Sequence, residues 1–337
     1  MKRRFCSLIA MVLALVLFLS CVPVSGWAAE SVVTVEVNAT FMYEEARSML
    51  NLVNSFRTGK DAYYRSKNNK SNVKVRGLKK LQYDYNLEKV AMLRALELAV
   101  YFSHTRPNGK AWKTAHSGNA TRGENIAYGL GSAEAAFKAF REDDKNYSGQ
   151  GHRRIMLEKK FTRVGFGCVK VGDVVYWAQE FSSGKAGGKA SDKFSAKAVD
   201  ATWKTLKAAK TKVTTSAAEL VLTEGETIDL PKVVLTSATG ARNSLGKTKW
   251  SSANSNIAQI NDSRLTAVQT GETEIMITVG DTTLKVKVQV GTASAAANTE
   301  TIDEYTVPLG LGENEFFFVD DEDAAFMDID ETMDEDN

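Results

Sequence analysis

The chain has 337 residues, with 43 Lys+Arg against 41 Asp+Glu and 43% hydrophobic residues. A balance so near zero excludes a polyanion binder that works through the whole chain, and the apolar content suffices for packed cores in about two domains. The balance averages unlike parts: residues 292–337 hold 15 acids and no base, which leaves 43 bases against 26 acids over residues 1–291.

Lys2, Arg3 and Arg4 precede an apolar run from Leu8 to Leu19. That run is shorter than the roughly 20 residues of a membrane-spanning helix. Gly26-Trp27-Ala28 then offers small residues for cleavage, so residues 1–28 read as an export signal. An uncleaved anchor and a lipidated Cys21 are the alternatives, and Phe18-Leu19-Ser20 is a poor approach to a lipidated cysteine. No second apolar run of spanning length follows, so no transmembrane anchor is expected after signal removal. Cys168 is then the remaining cysteine. It lies in an apolar run, Val164–Val169, and reads as a buried structural residue.

Residues 41–183 read as the first folded part. Ala46, Met49, Leu50 and Val53 form one stripe of a helix over Glu44–Arg57. Asn86 offers a cap for a second helix carrying Leu87, Ala91, Ala95, Leu98 and Phe102. Ser132 offers a cap for a third, with Ala133, Ala136, Phe137 and Phe140 inward. Thr162–Val171 and Asp173–Phe181 read as strands of a hairpin turning at Gly172-Asp173. Helices followed by a hairpin imply an α/β domain with helices covering a sheet.

Residues 184–213 read as a Lys/Ala/Gly-rich linker, either a solvated spacer or an adhesive for an anionic surface. Residues 214–291 hold short Val/Ile/Thr-rich segments at eight- to twelve-residue spacing, the pattern of a small all-β sandwich. Trp250 reads as its core anchor. Residues 292–337 read as a disordered acidic tail, because they cannot bury enough apolar surface to fold. A sortase-type signal is not evident there, so either retention at a surface is noncovalent or the protein is released.

The chemistry-bearing residues fall in the first part. His104 lies in Phe102-Ser103-His104-Thr105-Arg106-Pro107-Asn108-Gly109, where the second helix ends. His152 lies in Gly149-Gln150-Gly151-His152-Arg153-Arg154-Ile155-Met156. Between them is Gly123-Glu124-Asn125-Ile126-Ala127, which carries Glu124 into the core, where a carboxylate must be paired or hydrogen-bonded. Asp143 is three residues past Phe140 and seven past Ala136, which makes it the inward acid of the third helix if that helix persists. Asn125 and Arg153 are supporting candidates. His116, in the polar stretch 113–120, reads as a solvated loop residue.

These segments resemble the CAP superfamily in its bacterial form. The matching stretches run in family order from Asn54-Ser55-Phe56-Arg57 through Phe102–Gly109, Gly123–Ala127, Gly151–Met156 and Phe161–Gly167 to Tyr176–Phe181. The resemblance implies an α-β-α sandwich with a cleft lined by His104, Glu124, Asp143 and His152, with Asp143 standing where the family usually has a glutamate. It also implies three uses for the cleft. It could bind a ligand or a divalent metal such as zinc through His104 and His152. It could hydrolyse peptide or cell-wall substrates, although no nucleophile stands in a recognisable elbow. The four side chains could instead form a purely structural network. Trp250–Ile260, Leu265–Val268 and Gly271-Glu272-Thr273 resemble group 2 bacterial immunoglobulin-like domains, which implies a spacer or adhesion module. The whole then reads as a secreted or cell-envelope-associated protein. The partners implied are an anionic cell-wall polymer, a lipid or a host or surface protein. Nucleic acid is not expected, because the basic residues are scattered or lie in an aromatic-poor linker.

Overall fold

The computed structural model describes residues 32–292. The expected export signal and the acidic tail beyond Thr292 lie outside them. The chain opens with β1 (Val32–Glu36), β2 (Ala39–Phe41) and α1 (Tyr43–Thr58). In α1 the buried Ala46, Met49, Val53 and Phe56 recur at helical spacing, with Glu44 and Glu45 in the first turn and Arg57 in the last, where each charge suits the helix dipole. A two-stranded hairpin follows, β3 (Tyr63–Arg65) with β4 (Asn72–Lys74), then β5 (Gln82–Tyr83).

Next is α2 (Tyr85–Leu98). Its cap is Asp84 and not Asn86: the Asp84 carboxylate accepts from the backbone N–H groups of Asn86 and Leu87 at 2.8 and 3.0 Å. Capping from two residues earlier lets the helix start at Tyr85. Beyond β6 (Arg122–Tyr128), Ser132 caps α3 (Ala133–Arg141) by accepting from Ala135 N–H at 3.2 Å. The short α4 (Gly151–Met156) leads into β7 (Arg163–Val171) and β8 (Val174–Ser182), joined at Gly172-Asp173. Gly172 takes φ 57°, a conformation that glycine adopts without steric cost.

The central sheet has the order β2-β7-β8-β6, with β5 added parallel to β7. Two glycines set how close a helix lies to it. A Cβ at Gly165 would fall 2.2 Å from the Glu88 nitrogen, and one at Gly167 2.1 Å from the Ala91 oxygen. Only bare backbone at these positions lets α2 press directly on β7. Gly165 is in register with Glu180 of β8, which is in register with Glu124 of β6. Cross-strand partners share a face, so both glutamates face α2. The apolar core is continuous, from Met49 and Val53 of α1 through Phe166, Cys168 and Trp177 of the sheet. Cys168 is a free thiol in that core, and burial pushes its pKa up.

The segment expected as a linker is partly built into a second sheet. It contains β9 (Ala198–Thr202) and α5 (Trp203–Ala208), capped by Thr202. The β-rich remainder comprises β10 (Lys212–Thr215), β11 (Glu219–Thr223), β12 (Thr227–Asp229), β13 (Val233–Thr236), β14 (Arg242–Leu245), β15 (Trp250–Ser252), β16 (Ala258–Asn261), β17 (Arg264–Ala267), β18 (Gly271–Val279) and β19 (Thr282–Gly291). β11-β19-β18-β15 and β12-β17-β16 form two sheets. The third has the order β10-β13-β14-β1-β9, so strands from before and after the α/β part complete it. Val35, Val199, Ala201 and Leu245, with Val233 and Leu235 of β13, are among its buried apolar residues. Alternate apolar side chains are what draw β9 out of the solvated spacer expected there. Pro107 O accepts from Thr202 N–H at 2.9 Å, and Asn243 Nδ2 donates to Ala99 O at 3.1 Å. Trp250 is buried in its sandwich.

Candidate functional site

β6 is the edge strand of the central sheet, and its successive side chains alternate between the two faces. Glu124 points toward α2. It is fully buried and receives Arg94 Nε at 2.6 Å and His104 Nδ1 at 2.7 Å. Arg94 is itself buried and spans the cluster: Nη1 donates to Glu97 at 2.6 Å and Nη2 to Ser103 O at 2.8 Å. Glu97 also takes Arg106 at 2.7 Å. Burial works against the charge of Glu124, but Arg94 and His104 outweigh it and hold its carboxyl well below the ordinary carboxylate range. Arg94 is in turn held in its charged form by Glu124 and Glu97 despite its burial.

Asn125, the next residue, points the other way. Its Nδ2 donates to His152 O at 3.1 Å and to Gln179 Oε1 at 2.9 Å. His152 Nδ1 meets a glutamate, but Glu142 at 2.6 Å rather than the expected Asp143. The correction has a local cause. α3 ends at Arg141, and Glu142 takes the left-handed conformation, φ 49° and ψ 43°. Helical spacing from Phe140 therefore does not reach Asp143, whose side chain is 37% exposed and pairs with Arg141 at 2.8 Å and Arg153 Nη1 at 2.7 Å. Glu142 also accepts from Arg153 N–H at 3.3 Å, and the His152 ring packs on Phe140 at 5.3 Å. Arg153 is fully buried and braces the loop by donating to Asp61 O at 2.7 Å and to Tyr63 O. Of the four residues expected in one cleft, three are held in two pairs, His104–Glu124 and His152–Glu142, which flank the edge strand from its two faces. Asp143 stands outside both.

His116 is not a solvated loop residue. Its side chain is 2% exposed, and Nε2 lies 2.9 Å from Glu180 Oε2. Burial, followed by the charge of Arg122, pushes His116 down to about 4. Burial, followed by the charge of Glu124, pushes the Glu180 carboxyl well above its ordinary range. Both shifts favour the neutral forms, so the contact is a hydrogen bond between a neutral imidazole and a carboxylic acid, not an ion pair. The polar stretch around His116 carried no sign of this, because its partner comes from 64 residues further on. The sign was in β8 itself: Gln179-Glu180 interrupts the apolar Tyr176-Trp177-Ala178 and Phe181, and polar groups buried in a strand need partners.

The histidines differ in access. The side chains of His104 and His152 are 24% and 14% exposed, against 2% for His116. Nδ1 of each reachable ring is fixed by a glutamate, which sets the ring plane and turns Nε2 away from the carboxylate. A closed zinc site takes four donors. Among the described residues, no group of three or more His, Cys, Asp or Glu side chains is placed to hold a metal ion. Glu124 and Glu142 serve the rings, so the donor set does not fit a resident metal. Ser103, adjacent to His104, is 5% exposed, and its hydroxyl accepts from Thr105 N–H at 3.0 Å, which leaves it unlike an activated nucleophile.

Residues 50–181 match the cysteine-rich secretory protein family, CAP, and residues 209–290 match the bacterial Ig-like domain, group 2. Over 118 residues the chain is 33% identical to the uncharacterized protein YkwD of Bacillus subtilis strain 168. The match takes in 31% of this chain and 40% of that protein, so the chain spans about two fifths of the length of that curated relative. Among solved structures, the Schistosoma mansoni venom allergen-like protein 4 is similar at 15% identity and TM-score 0.33, over 43% of this chain and 92% of that one. NaASP2 with Zn2+ is similar at 24% identity and TM-score 0.32, over 43% and 85%.

Proposed function

Because the chain carries a CAP domain followed by a bacterial immunoglobulin-like domain, we propose that it is a secreted or envelope-associated binding protein. The two His–Glu pairs of the CAP domain take a hydrogen-bonding ligand, and the immunoglobulin-like domain spaces or attaches them. The observation that carries this reading is the fixing of His104 and His152 through Nδ1 by glutamates while both rings keep solvent access. The His104 ring, held this way, presents an oriented Nε2 at no reorientation cost, which favours affinity. Ser103 and the buried Cys168 supply no activated nucleophile, which favours binding over hydrolysis.

Soluble peptidoglycan fragments, free of phosphate polymers, provide the probe. Binding to the full chain is expected to weaken five- to tenfold in His104→Ala or His152→Ala, the loss of about one hydrogen bond. Equal binding by wild type and both variants, with melting temperatures preserved, refutes the reading. Zinc is titrated alongside. Thermal stabilisation by Zn2+ that disappears in the variants would replace the hydrogen-bonded ligand with a bound metal ion.

A further inference from the structure

The hairpin β3–β4 and its flanks concentrate positive charge. Residues 58–80 carry Lys60, Arg65, Lys67, Lys70, Lys74, Arg76, Lys79 and Lys80 against the single acid Asp61. All of these bases except Arg65 are exposed, and none of the eight forms a salt bridge among the described residues. Between the hairpin and the end of α1 lies an open hollow of about 340 Å³, with Lys60, Lys74 and Arg76 in its wall.

A run of lysines is ordinarily a solvated face, but this one is mounted on a rigid frame. The buried Gln150 Oε1 accepts from Arg65 N–H at 2.7 Å, and Asn69 Oδ1 accepts from Tyr147 N–H at 2.7 Å. The fully buried Arg153 donates to the carbonyls of Asp61 and Tyr63. The hairpin is thereby fastened to residues 147–153, the segment that carries His152. Its cations stand in place before any partner arrives, which lowers the ordering cost of binding.

We propose that residues 58–80 form a docking surface for a linear phosphate-bearing polymer, gripped through its phosphates alone. β4 ends at Lys74 and Arg76 follows two residues later; both stand in the wall of the hollow, neighbouring charges that suit a thread of repeating anions. Lysine ammoniums, point charges without a bidentate fork, read phosphate charge and little else. A bilayer would need apolar anchors beside the cations; the exposed large hydrophobic residue on this face is Val73 alone, 38% accessible. Single-stranded nucleic acid would need exposed aromatic platforms. The tyrosines here are half-buried and engaged, Tyr63 under the Arg153 guanidinium at 4.5 Å and Tyr64 against Tyr147 at 6.3 Å. The surface stands independently of what the His–Glu pairs bind.

The probe is long-chain inorganic polyphosphate, titrated against the full chain at several salt concentrations. With about six phosphates engaged, log K falls with log salt at a slope of about −4, so a fourfold rise in salt weakens binding about 300-fold. The variant K67E/K70E/K74E/R76E is expected to flatten that slope to between about −1 and −2 and to melt as the wild type does, because the altered side chains are exposed. An equal number of reversals in the following segment, K185E/K189E/K193E/K197E, is expected to change affinity far less. Absent or salt-insensitive binding overturns the proposal. So does an equal loss in the second variant, which would move the contact to residues 185–197. Tighter binding of single-stranded DNA, or of phosphatidylglycerol vesicles, at equal phosphate concentration also overturns it, in favour of a nucleic-acid or membrane surface.

Discussion

Replacing Glu180 by Gln tests the electrostatics of the buried cluster directly. Glu180 Oε2 is hydrogen-bonded to His116 Nε2, while Oε1 has no donor among the described residues and faces the carboxylate of Glu124, its register partner. Two carboxylates buried side by side cannot both ionise, and Glu124 is the one held ionised by Arg94. Glu180 therefore keeps its proton in the folded protein, whereas in the unfolded chain it ionises above about pH 4.3. A group whose proton affinity is raised on folding contributes stability that is fully present below that pH and is lost as pH rises. The loss runs at about 1.4 kcal/mol per pH unit while the folded carboxyl stays protonated. Glutamine preserves both hydrogen bonds, a carbonyl for His116 and an N–H for Glu124, and has no proton to retain. Glu180→Gln is thus expected to match wild type near pH 4 and to exceed it progressively above, by at most about 4 kcal/mol at pH 7 if the folded carboxyl keeps its proton that far. Urea unfolding at intervals from pH 5 to 8 measures the difference. Parallel curves, or a variant less stable at every pH, would mean that Glu180 is ionised against a charged His116, and the assignment of neutral forms would be wrong.

Four further outcomes follow from the same geometry. Glu142→Ala removes the partner of His152 and is expected to cost about 1–3 kcal/mol and to change the tautomer signature of that ring in nitrogen NMR, whereas Asp143→Ala stays within about 1 kcal/mol; the reverse order would restore Asp143 as the partner. On the acid side, His116 is neutral when folded and titrates at about 4. Its contribution is therefore present above pH 6.5 and lost as pH falls toward 4, by up to about 3 kcal/mol, and His116→Gln should flatten that limb of the stability curve. Gly167→Ala places a methyl 2.1 Å from the Ala91 carbonyl and should prevent normal folding or cost more than about 3 kcal/mol, while Gly131→Ala, with nothing within 4 Å, is expected to be nearly neutral in the same denaturant titration. Val35→Asp puts a charge at a fully buried position of β1 and is expected to detach that strand from β9 and β14, read as faster hydrogen exchange at Val199 and Leu245.

The local elements were legible because each is written in neighbouring residues. The 3.6-residue recurrence of Ala46, Met49 and Val53 marked α1, the Ser132 hydroxyl marked the start of α3, and the run broken at Gly172-Asp173 marked the β7–β8 hairpin. The ordered His and Glu motifs pointed to the CAP domain, and the stretches Trp250–Ile260 and Gly271–Thr273 to the immunoglobulin-like domain, before any coordinates. The errors came where a residue's role depends on a distant one or on a single backbone torsion. Asp143 was chosen by extending a helix two residues past its end, and the left-handed turn at Glu142 handed His152 to the neighbouring acid instead.

His116 was judged by its polar neighbours, although Glu180 removes it from water across 64 residues of chain. The segment after Gly184 looked like a spacer because its composition is that of one. Only the pairing of β9 with β1, from the other side of the whole CAP domain, makes Val199 and Ala201 core residues. Periodicity and capping are properties of the chain within a few residues, so the amino acids themselves determine them. Pairing between strands, burial of a titratable group and the partner of an imidazole depend on which surfaces meet in space, and there the tertiary structure alone decided.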